Sequence, residues 1–269
     1  MKSIQGVARS VRRTLRPAAR EVALNCARLS QHLFKRRDMA VQLGRYGKKV
    51  YSQNDEDGII EYLFCRIEPT SRFFVEIGVS PRWRNGRRMD IHESGLECNC
   101  RLLAERGWNG IMIDGKQYPP QFNVKSEFIT AENINLILSK YGAPPEFDLF
   151  SLDVDGNDYW IWKALTYHPR VAVIEYNPSL AADESKTIRY DPQFSWASNG
   201  CTKYYGASLL ALKKLGDAKG YTLVYANGVN AFFVKSVLVP NKDDYVYGRL
   251  YRYRNVHAAL KGDEEWVDV

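Results

Sequence analysis

The chain has 269 residues, 45% of them hydrophobic, which suits one α/β domain with an additional segment. No stretch approaches the roughly 18 consecutive apolar residues of a membrane-spanning helix, and the five cysteines lack the paired spacing of a structural zinc site. The net charge of +7 is uneven, because residues 1–49 carry 13 basic and two acidic residues, whereas the remainder has a net charge of −4. The acidic body argues against a specific nucleic-acid partner.

The predicted N-terminal arm covers residues 1–46. Val7, Val11 and Leu15 recur at helical spacing between arginines, and Pro17 interrupts any single helix. Three roles stay open for this basic arm: a solvated helix, an organelle-import signal, or a segment that docks on an anionic membrane surface. We expect the main folded domain over 47–240, a C-terminal tail over 241–269, and a cytoplasmic protein, held at the inner face of a membrane if the arm docks.

Beyond the arm, apolar runs and amphipathic stretches alternate along the chain. The pattern predicts seven strands, at 73–79, 110–115, 126–130, 147–155, 170–177, 221–228 and 230–235. It predicts helices at 97–107, 131–142, 159–167 and 207–220. Alternating strands and helices favour an α/β fold with a mostly parallel sheet covered by helices on both faces, and the last two strands are close enough to form a hairpin.

Acidic residues follow four of these predicted strands. They are Glu76, Asp114, Asp153 and Glu175. The carboxyl ends of parallel strands share one edge, where ligands bind in open α/β sheets, so these acids predict a negative crevice for a cationic or polyhydroxylated ligand. An acid after the second strand commonly binds ribose hydroxyls, which assigns that role to Asp114. Asp114 lies 36 residues after Gly78 but 19 after Gly95, so residues 79–94 are predicted to be an insertion.

Several motifs resemble the FkbM-type branch of S-adenosylmethionine-dependent methyltransferases, over about residues 50 to 236. They are "YSQNDEDGIIEYLF", "FFVEIGV", "LECNCRLLAERGWNGIMIDG", "FDLFSLDVDGNDYWIWKAL" and "PRVAVIEYN". The resemblance implies a Rossmann-like class I methyltransferase fold with a seven-stranded sheet. It also implies O-methyl transfer to a sugar, glycan or similar polyol, as in polysaccharide biosynthesis. The insertion at 79–94 departs from the family pattern.

The resemblance further implies which residues hold S-adenosylmethionine. Glu76 and Gly78 would line its methionine and ribose, Asp114 would hold the ribose hydroxyls, and Ala131 and Glu132 would lie near adenine. The other implied cofactor-binding residues are Gln53 and Asp57, before the first strand, Gly95, Glu97 and Asn99, which open the following helix, and Asp153.

The acids after the fourth strand are the leading catalytic candidates. Methyl transfer to a hydroxyl requires alignment of the acceptor and removal of a proton. We predict that Asp153 faces the cofactor, that Asp155 faces the acceptor, and that Asp158 caps the helix beginning at Tyr159. His92, in the insertion, and Glu175 are further catalytic candidates.

Two alternatives use the same acids. Asp153, Asp155 and Asn157, with Glu175 or Asn177, offer oxygen ligands for Mg²⁺ or Mn²⁺, which would orient the acceptor and lower the pKa of its hydroxyl. The Asp-x-Asp of residues 153–155 is also compatible with a metal-dependent nucleotide-sugar glycosyltransferase. A third class of function is a non-catalytic, membrane-docked methyltransferase-like module.

Overall fold

The structure, a computed structural model, describes residues 43–84, 87–91, 95–197, 200, 202–252 and 265–269. The chain divides into two units between residues 37 and 38, and all of the described residues belong to the second unit. Most of the predicted arm therefore lies outside the described residues, as does His92. In the described part of the chain, none of the helices combines the length and the apolar character needed to cross a membrane.

A seven-stranded sheet forms the centre of the domain, in the order β6-β7-β5-β4-β1-β2-β3. Its strands are β1 (Phe73–Ile77), β2 (Asn109–Asp114), β3 (Val124–Ser126), β4 (Leu149–Leu152), β5 (Val171–Glu175), β6 (Tyr221–Ala226) and β7 (Asn230–Lys235). All neighbouring pairs are parallel except those of β7, which runs antiparallel to both β5 and β6. This order and the reversed strand confirm the predicted Rossmann-like class I methyltransferase fold.

Helices cover both faces of the sheet. They are α1 (Glu56–Arg66), α2 (Arg101–Glu105), α3 (Ile134–Lys140), α4 (Asp158–Ala164), α5 (Leu209–Ala218) and α6 (Tyr247–Leu250). Side chains alternate across a strand, so Val75 and Ile77 of β1 join the core under α3, α4 and α5, whereas Phe74 joins the core under α1 and α2. The central strands β4 and β5 are buried along their whole length, which explains their continuous apolar sequences.

The structure differs from the predicted elements mainly in short segments. The third strand is Val124–Ser126 rather than 126–130, and the helix predicted at 97–107 is reduced to α2. Leu96–Glu97 instead pairs with Ser80–Pro81, because the insertion folds back as short antiparallel strands. A second pair within the insertion joins Trp83–Arg84 to Arg87–Arg88.

The described part of the tail packs on the domain. Leu250 of α6 is buried in the main core, and Trp266–Asp268 pairs antiparallel with the short strand Lys186–Ile188 between β5 and α5. Short 3-10 turns lie at Gly44–Tyr46, Pro120–Phe122, Ser236–Leu238 and Lys242–Asp244. The loop between β5 and α5 is thereby held by a chain segment more than sixty residues away in sequence.

Candidate active site

A glycine turn brings the ends of β1 and β4 together. Gly78 has a φ of +85°, and its amide donates to the carbonyl of Ile113 at 2.9 Å. A Cβ at this position would lie 1.6 Å from the carbonyl oxygen of Asp153, so only glycine fits without a backbone shift. The turn therefore places the acids that follow β4 beside the end of β1.

Glu76 fixes the start of the segment that leads into α2. Its buried carboxylate accepts hydrogen bonds from the amides of Asn99 at 2.5 Å and Cys100 at 2.9 Å. Burial raises the pKa of Glu76 to about 7, and the two amides offset part of that increase. Asn99 in turn donates through its side chain to Ser151 of β4 at 3.0 Å. These two predicted cofactor residues thus connect β1, β4 and α2, and direct cofactor contact by them stays a prediction.

Asp114 ends β2 with a half-buried carboxylate directed at backbone amides. Its oxygens accept from Val79 at 3.2 Å and from Lys116 at 2.8 Å. A carboxylate has about four acceptor positions, so these bonds hold its orientation and leave capacity for ligand hydroxyls. Phe128, which is 53% exposed, lies beside it, since a Cβ on Gly115 would be 3.3 Å from the Phe128 ring.

Three acids converge at the ends of β4 and β5. Asp153, Asp155 and Glu175 each place one carboxylate oxygen within 4.8 Å of the others. Asp153 is half-buried, Asp155 is exposed and Glu175 is buried. Asp155 has a φ of +55°, the left-handed conformation that aspartate tolerates better than most residues. The structure therefore brings together three of the four predicted catalytic residues.

The carboxyl groups of Asp153 and Glu175 are close together, and both have raised pKa values. Burial is the first cause that raises the pKa of each carboxyl well above its usual value, and repulsion from neighbouring acids adds to it. Two carboxylates this close repel each other when both are ionised, which favours the protonated form of one of them. The pair therefore retains a proton under conditions in which isolated carboxyls are ionised.

Asp158 has a different role from the predicted one. Helix α4 begins at Asp158 itself, and the fully buried carboxylate accepts from the amides of Val154 at 2.9 Å and Gly156 at 3.0 Å. The helix-cap prediction is therefore wrong, because the side chain turns back to hold the loop that carries Asp155. Burial raises the pKa of Asp158 to about 7.

Asn157, a predicted metal ligand, has a hydrogen bond at its amide nitrogen but none at its amide oxygen. Its Nδ2 donates to the carbonyl of Asp191 at 2.7 Å, while its Oδ1 is buried and has no hydrogen-bond partner. The oxygen thus remains the only ligand atom it can offer. Asn177, the other amide considered for the metal, is committed to structure, because both ends of its side chain bond to residues 179–205.

The segment before α1 lies along the same edge. Asp57 accepts through Oδ2 from the amides of Val50, Tyr51 and Ser52 at 2.7 to 2.8 Å, and its Oδ1 is buried without a partner. Lys49 links the predicted residues Gln53 and Glu97. Its ammonium donates to the backbone carbonyl of Gln53 and forms an ion pair with the Glu97 carboxylate at 3.4 Å.

Glu56 is a buried acid that the sequence reasoning missed. It accepts from the side chains of Asn227 at 2.7 Å and Asn230 at 3.0 Å. Burial raises its pKa, but hydrogen bonds from Asn230 and Asn227 outweigh burial and leave the pKa below its usual value. The acidic run "NDEDG" was the available signal, yet it did not indicate which acid turns inward.

Ala131 and Glu132, predicted near adenine, are joined through a residue that the sequence reasoning also missed. The hydroxyl of Tyr190 accepts from the Ala131 amide at 3.2 Å and donates to Glu132 at 2.5 Å. Gly95, the last of the predicted cofactor residues, lies against Arg101 at the start of α2.

Four buried side-chain oxygens among the described residues of this edge have no hydrogen-bond partner. They belong to Asp57, Asn157, Glu175 and Asn230. Unpaired buried acceptors are costly, which points to a ligand that supplies hydrogen-bond donors or positive charge. Arg82 contributes a cation, and its Nε is also buried without a partner. Its guanidinium carbon lies 5.2 Å from the centre of the Tyr51 ring.

Comparison with known proteins gives little beyond this geometry. No protein-family model and no curated protein matches the chain. Among solved structures, the chain is similar to the MycE methyltransferase from the mycinamycin biosynthetic pathway, in complex with Mg, SAH and mycinamycin VI. The TM-score is 0.40 and the identity 18%, over 75% of this chain and about half, 55%, of that chain.

Proposed function

We propose that this protein is an S-adenosylmethionine-dependent O-methyltransferase that acts on a hydroxyl of a sugar, a glycan or a similar polyol. The observation that carries the proposal is the acid cluster Asp153, Asp155 and Glu175 at the carboxyl edge of a class I sheet. This cluster lies beside the Gly78 turn, and Asp114 ends the strand next to β1 on the other side.

The residues present fit the cofactor. S-adenosylmethionine supplies an activated methyl group and carries a sulfonium, an ammonium, a carboxylate and two ribose hydroxyls. Asp114 would accept hydrogen bonds from the ribose hydroxyls. The buried, unpartnered oxygens of this edge, such as Asp57 Oδ1, suit the ammonium group. Arg82 suits the carboxylate. The acidic surroundings favour the positive sulfonium.

The acid cluster also fits a hard divalent cation. Mg²⁺ and Mn²⁺ prefer carboxylate oxygens, and Asp153, Asp155 and Glu175 offer three that lie close enough to share one ion. We assign Glu175 rather than Asn157 as the third ligand, because Glu175 supplies a charged oxygen within 4.8 Å of those of Asp153 and Asp155. Such an ion would lower the pKa of an acceptor hydroxyl.

Asp155 is the residue we assign to the acceptor. Asp155 is exposed, whereas Asp153 is half-buried and Glu175 is buried. The loop that carries Asp155 is held in place by hydrogen bonds to the Asp158 carboxylate. As a general base or as a ligand of the ion, its carboxylate would assist removal of the proton from the hydroxyl. An acceptor with two neighbouring hydroxyls could contact both Asp155 and the ion, which is why a polyol fits.

Titration with S-adenosylhomocysteine tests the proposal. The wild type should bind it, and Asp114→Asn should weaken binding by about 1.5–3 kcal/mol, as expected for a hydrogen bond to a charged group. Asp243→Asn, at an exposed acid outside this edge, is the matched control and should bind normally. The measurement is isothermal titration calorimetry, followed by methyl transfer to a panel of glycans.

Two other ligands separate the alternative functions. Stabilisation by a UDP-sugar with Mn²⁺, without any response to S-adenosylhomocysteine, would favour the glycosyltransferase. Binding to anionic vesicles alone would favour the non-catalytic module. Either pattern would overturn the methyltransferase proposal.

A further inference from the structure

The Tyr190 side chain is hydrogen-bonded to two groups at the edge of the proposed cofactor site. It follows the short strand Lys186–Ile188, and its hydroxyl bonds simultaneously to the Ala131 amide and the Glu132 carboxylate. Both groups come shortly after β3, whose last residue, Ser126, pairs with Asp114 at the end of β2. The Tyr190 contact therefore lies one strand beyond the carboxylate assigned to ribose.

The two groups form a matched donor and acceptor. The Ala131 amide donates and Glu132 accepts, and a tyrosine hydroxyl satisfies both because it can accept and donate at once. An aminopurine edge offers the same combination, since a ring nitrogen accepts and the adjacent amino group donates. Tyr190 and an adenine base therefore compete for these two groups.

The same segment also contacts the loop of the acid cluster. The carbonyl of Asp191 accepts from Asn157, and the ring of Phe194 packs on Gly156, where a Cβ would lie 2.4 Å from the ring. Residues 190–194 thus connect the groups after β3 with Gly156 and Asn157, the two residues that follow Asp155. A displacement of Tyr190 would be transmitted to the acceptor side of the site through a segment of five residues.

We propose, on the basis of the proposed function, that Tyr190 is a positioning residue that holds the base-recognition groups until adenine replaces it. Until the base arrives, its hydroxyl satisfies the Ala131 amide and the Glu132 carboxylate. Cofactor binding releases Tyr190, and the release shifts residues 190–194 against the loop that carries Asp155. Cofactor binding would in this way adjust the acceptor site before the acceptor enters.

Substitution of the hydroxyl alone tests this competition. Tyr190→Phe keeps the ring, which packs 5.9 Å from Trp160, and removes only the competing group. We expect S-adenosylhomocysteine to bind this variant about three- to tenfold more tightly than the wild type, because the two hydrogen bonds of the hydroxyl no longer compete with the base. Tyr204→Phe is the matched control, because Tyr204 lies in the same loop but donates to Glu265 and accepts from Arg189. It should leave the affinity unchanged.

The outcomes separate this inference from the proposed function. If Tyr190 merely supports Ala131 and Glu132, the phenylalanine variant will bind S-adenosylhomocysteine equally or more weakly, and the inference is overturned. If neither the wild type nor the variant binds it, the proposed function itself fails. Hydrogen exchange gives a second readout, because binding must alter exchange in residues 190–194 together with 154–157. A change confined to one of these segments contradicts the coupling.

Discussion

The raised pKa values of Asp153 and Glu175 determine how the proposed cation site should respond to pH. Their pKa values are raised by burial and then by neighbouring acids, so the protonated form of the pair persists above the usual range of carboxyls. A metal ion requires ionised ligands and must displace this proton. Cation affinity should therefore increase as pH rises, and we expect Mn²⁺ to bind at least about tenfold more tightly near pH 8 than near pH 6.

Calorimetric Mn²⁺ titrations at the two pH values check this prediction. Glu175→Gln removes one ligand charge and one of the two carboxyls with raised pKa, so it should both weaken Mn²⁺ binding and reduce its pH dependence. Asp243→Asn should change neither property, since Asp243 is exposed and outside the cluster. Equal Mn²⁺ affinity at both pH values would show that the acid cluster is not a cation site.

Residue types and spacing predicted which acids gather, but not how each side chain is oriented. The strand-end positions of Asp153 and Glu175 required only the parallel sheet, because parallel strands end at one edge. The turn of Asp158 back to Val154 and Gly156 depends on the path of the loop, which sequence spacing does not specify. The same limit explains why Tyr190, 59 residues from Ala131, was missed.

At the scale of elements, the junction of β1 and β4 is the feature most sensitive to substitution. Gly78→Ala would add a left-handed alanine and press its Cβ into the carbonyl of Asp153. Gly142→Ala is the matched control, because Gly142 also has a positive φ, +73°, but no neighbouring atom lies within 4 Å of a Cβ placed there. The control should cost about 1–2 kcal/mol from backbone strain alone.

We expect Gly78→Ala to cost clearly more than the control and to abolish S-adenosylhomocysteine binding, since the strand ends must separate. Chemical denaturation measures the free energy of unfolding of both variants, and calorimetry measures binding. Equal destabilisation of the two variants would mean that the carbonyl of Asp153 moves aside readily. The close approach would then not be what holds the acids in place.

Strands buried on both faces were predictable, whereas the limits of β3 and α2 were not. β4 and β5 are covered on both faces, so their continuous apolar sequences identify them. β3 is three residues long and α2 is five, and both owe their limits to tertiary neighbours. Glu76 holds the amides of Asn99 and Cys100, so regular α2 begins only at Arg101, which local propensity cannot indicate.

At the scale of the whole molecule, charge is divided between the basic N-terminal region and an acidic body. Residues 1–42 contain ten basic and two acidic residues, whereas buried acids dominate the proposed site. Of the three roles left open for the arm, membrane docking is the one that this charge separation favours, because basic segments bind anionic membranes and an acidic domain does not. The separation also means that the two functions should be separable by truncation.

The position of the cut decides the result of that truncation. The sequence assigns residues up to 46 to the arm, but Leu43 is only 2% exposed within the core under α1, and the ring of Tyr46 stacks on Tyr62 at 3.9 Å. We expect deletion of residues 1–42 to leave the free energy of unfolding and S-adenosylhomocysteine binding intact. Deletion of residues 1–46 should destabilise the domain by about 2–5 kcal/mol, the usual cost of losing a buried leucine.

Both truncations should lose vesicle binding to the same extent, because ten of the basic residues lie before residue 43. Flotation with anionic vesicles at low and high salt measures this binding, and added salt should reduce it for the full chain. If the full chain never floats with vesicles, the arm does not dock on membranes. If deletion of residues 1–42 destabilises the domain as much as deletion of 1–46, residues before Leu43 contribute to the fold, and the arm cannot be treated as a separate functional segment.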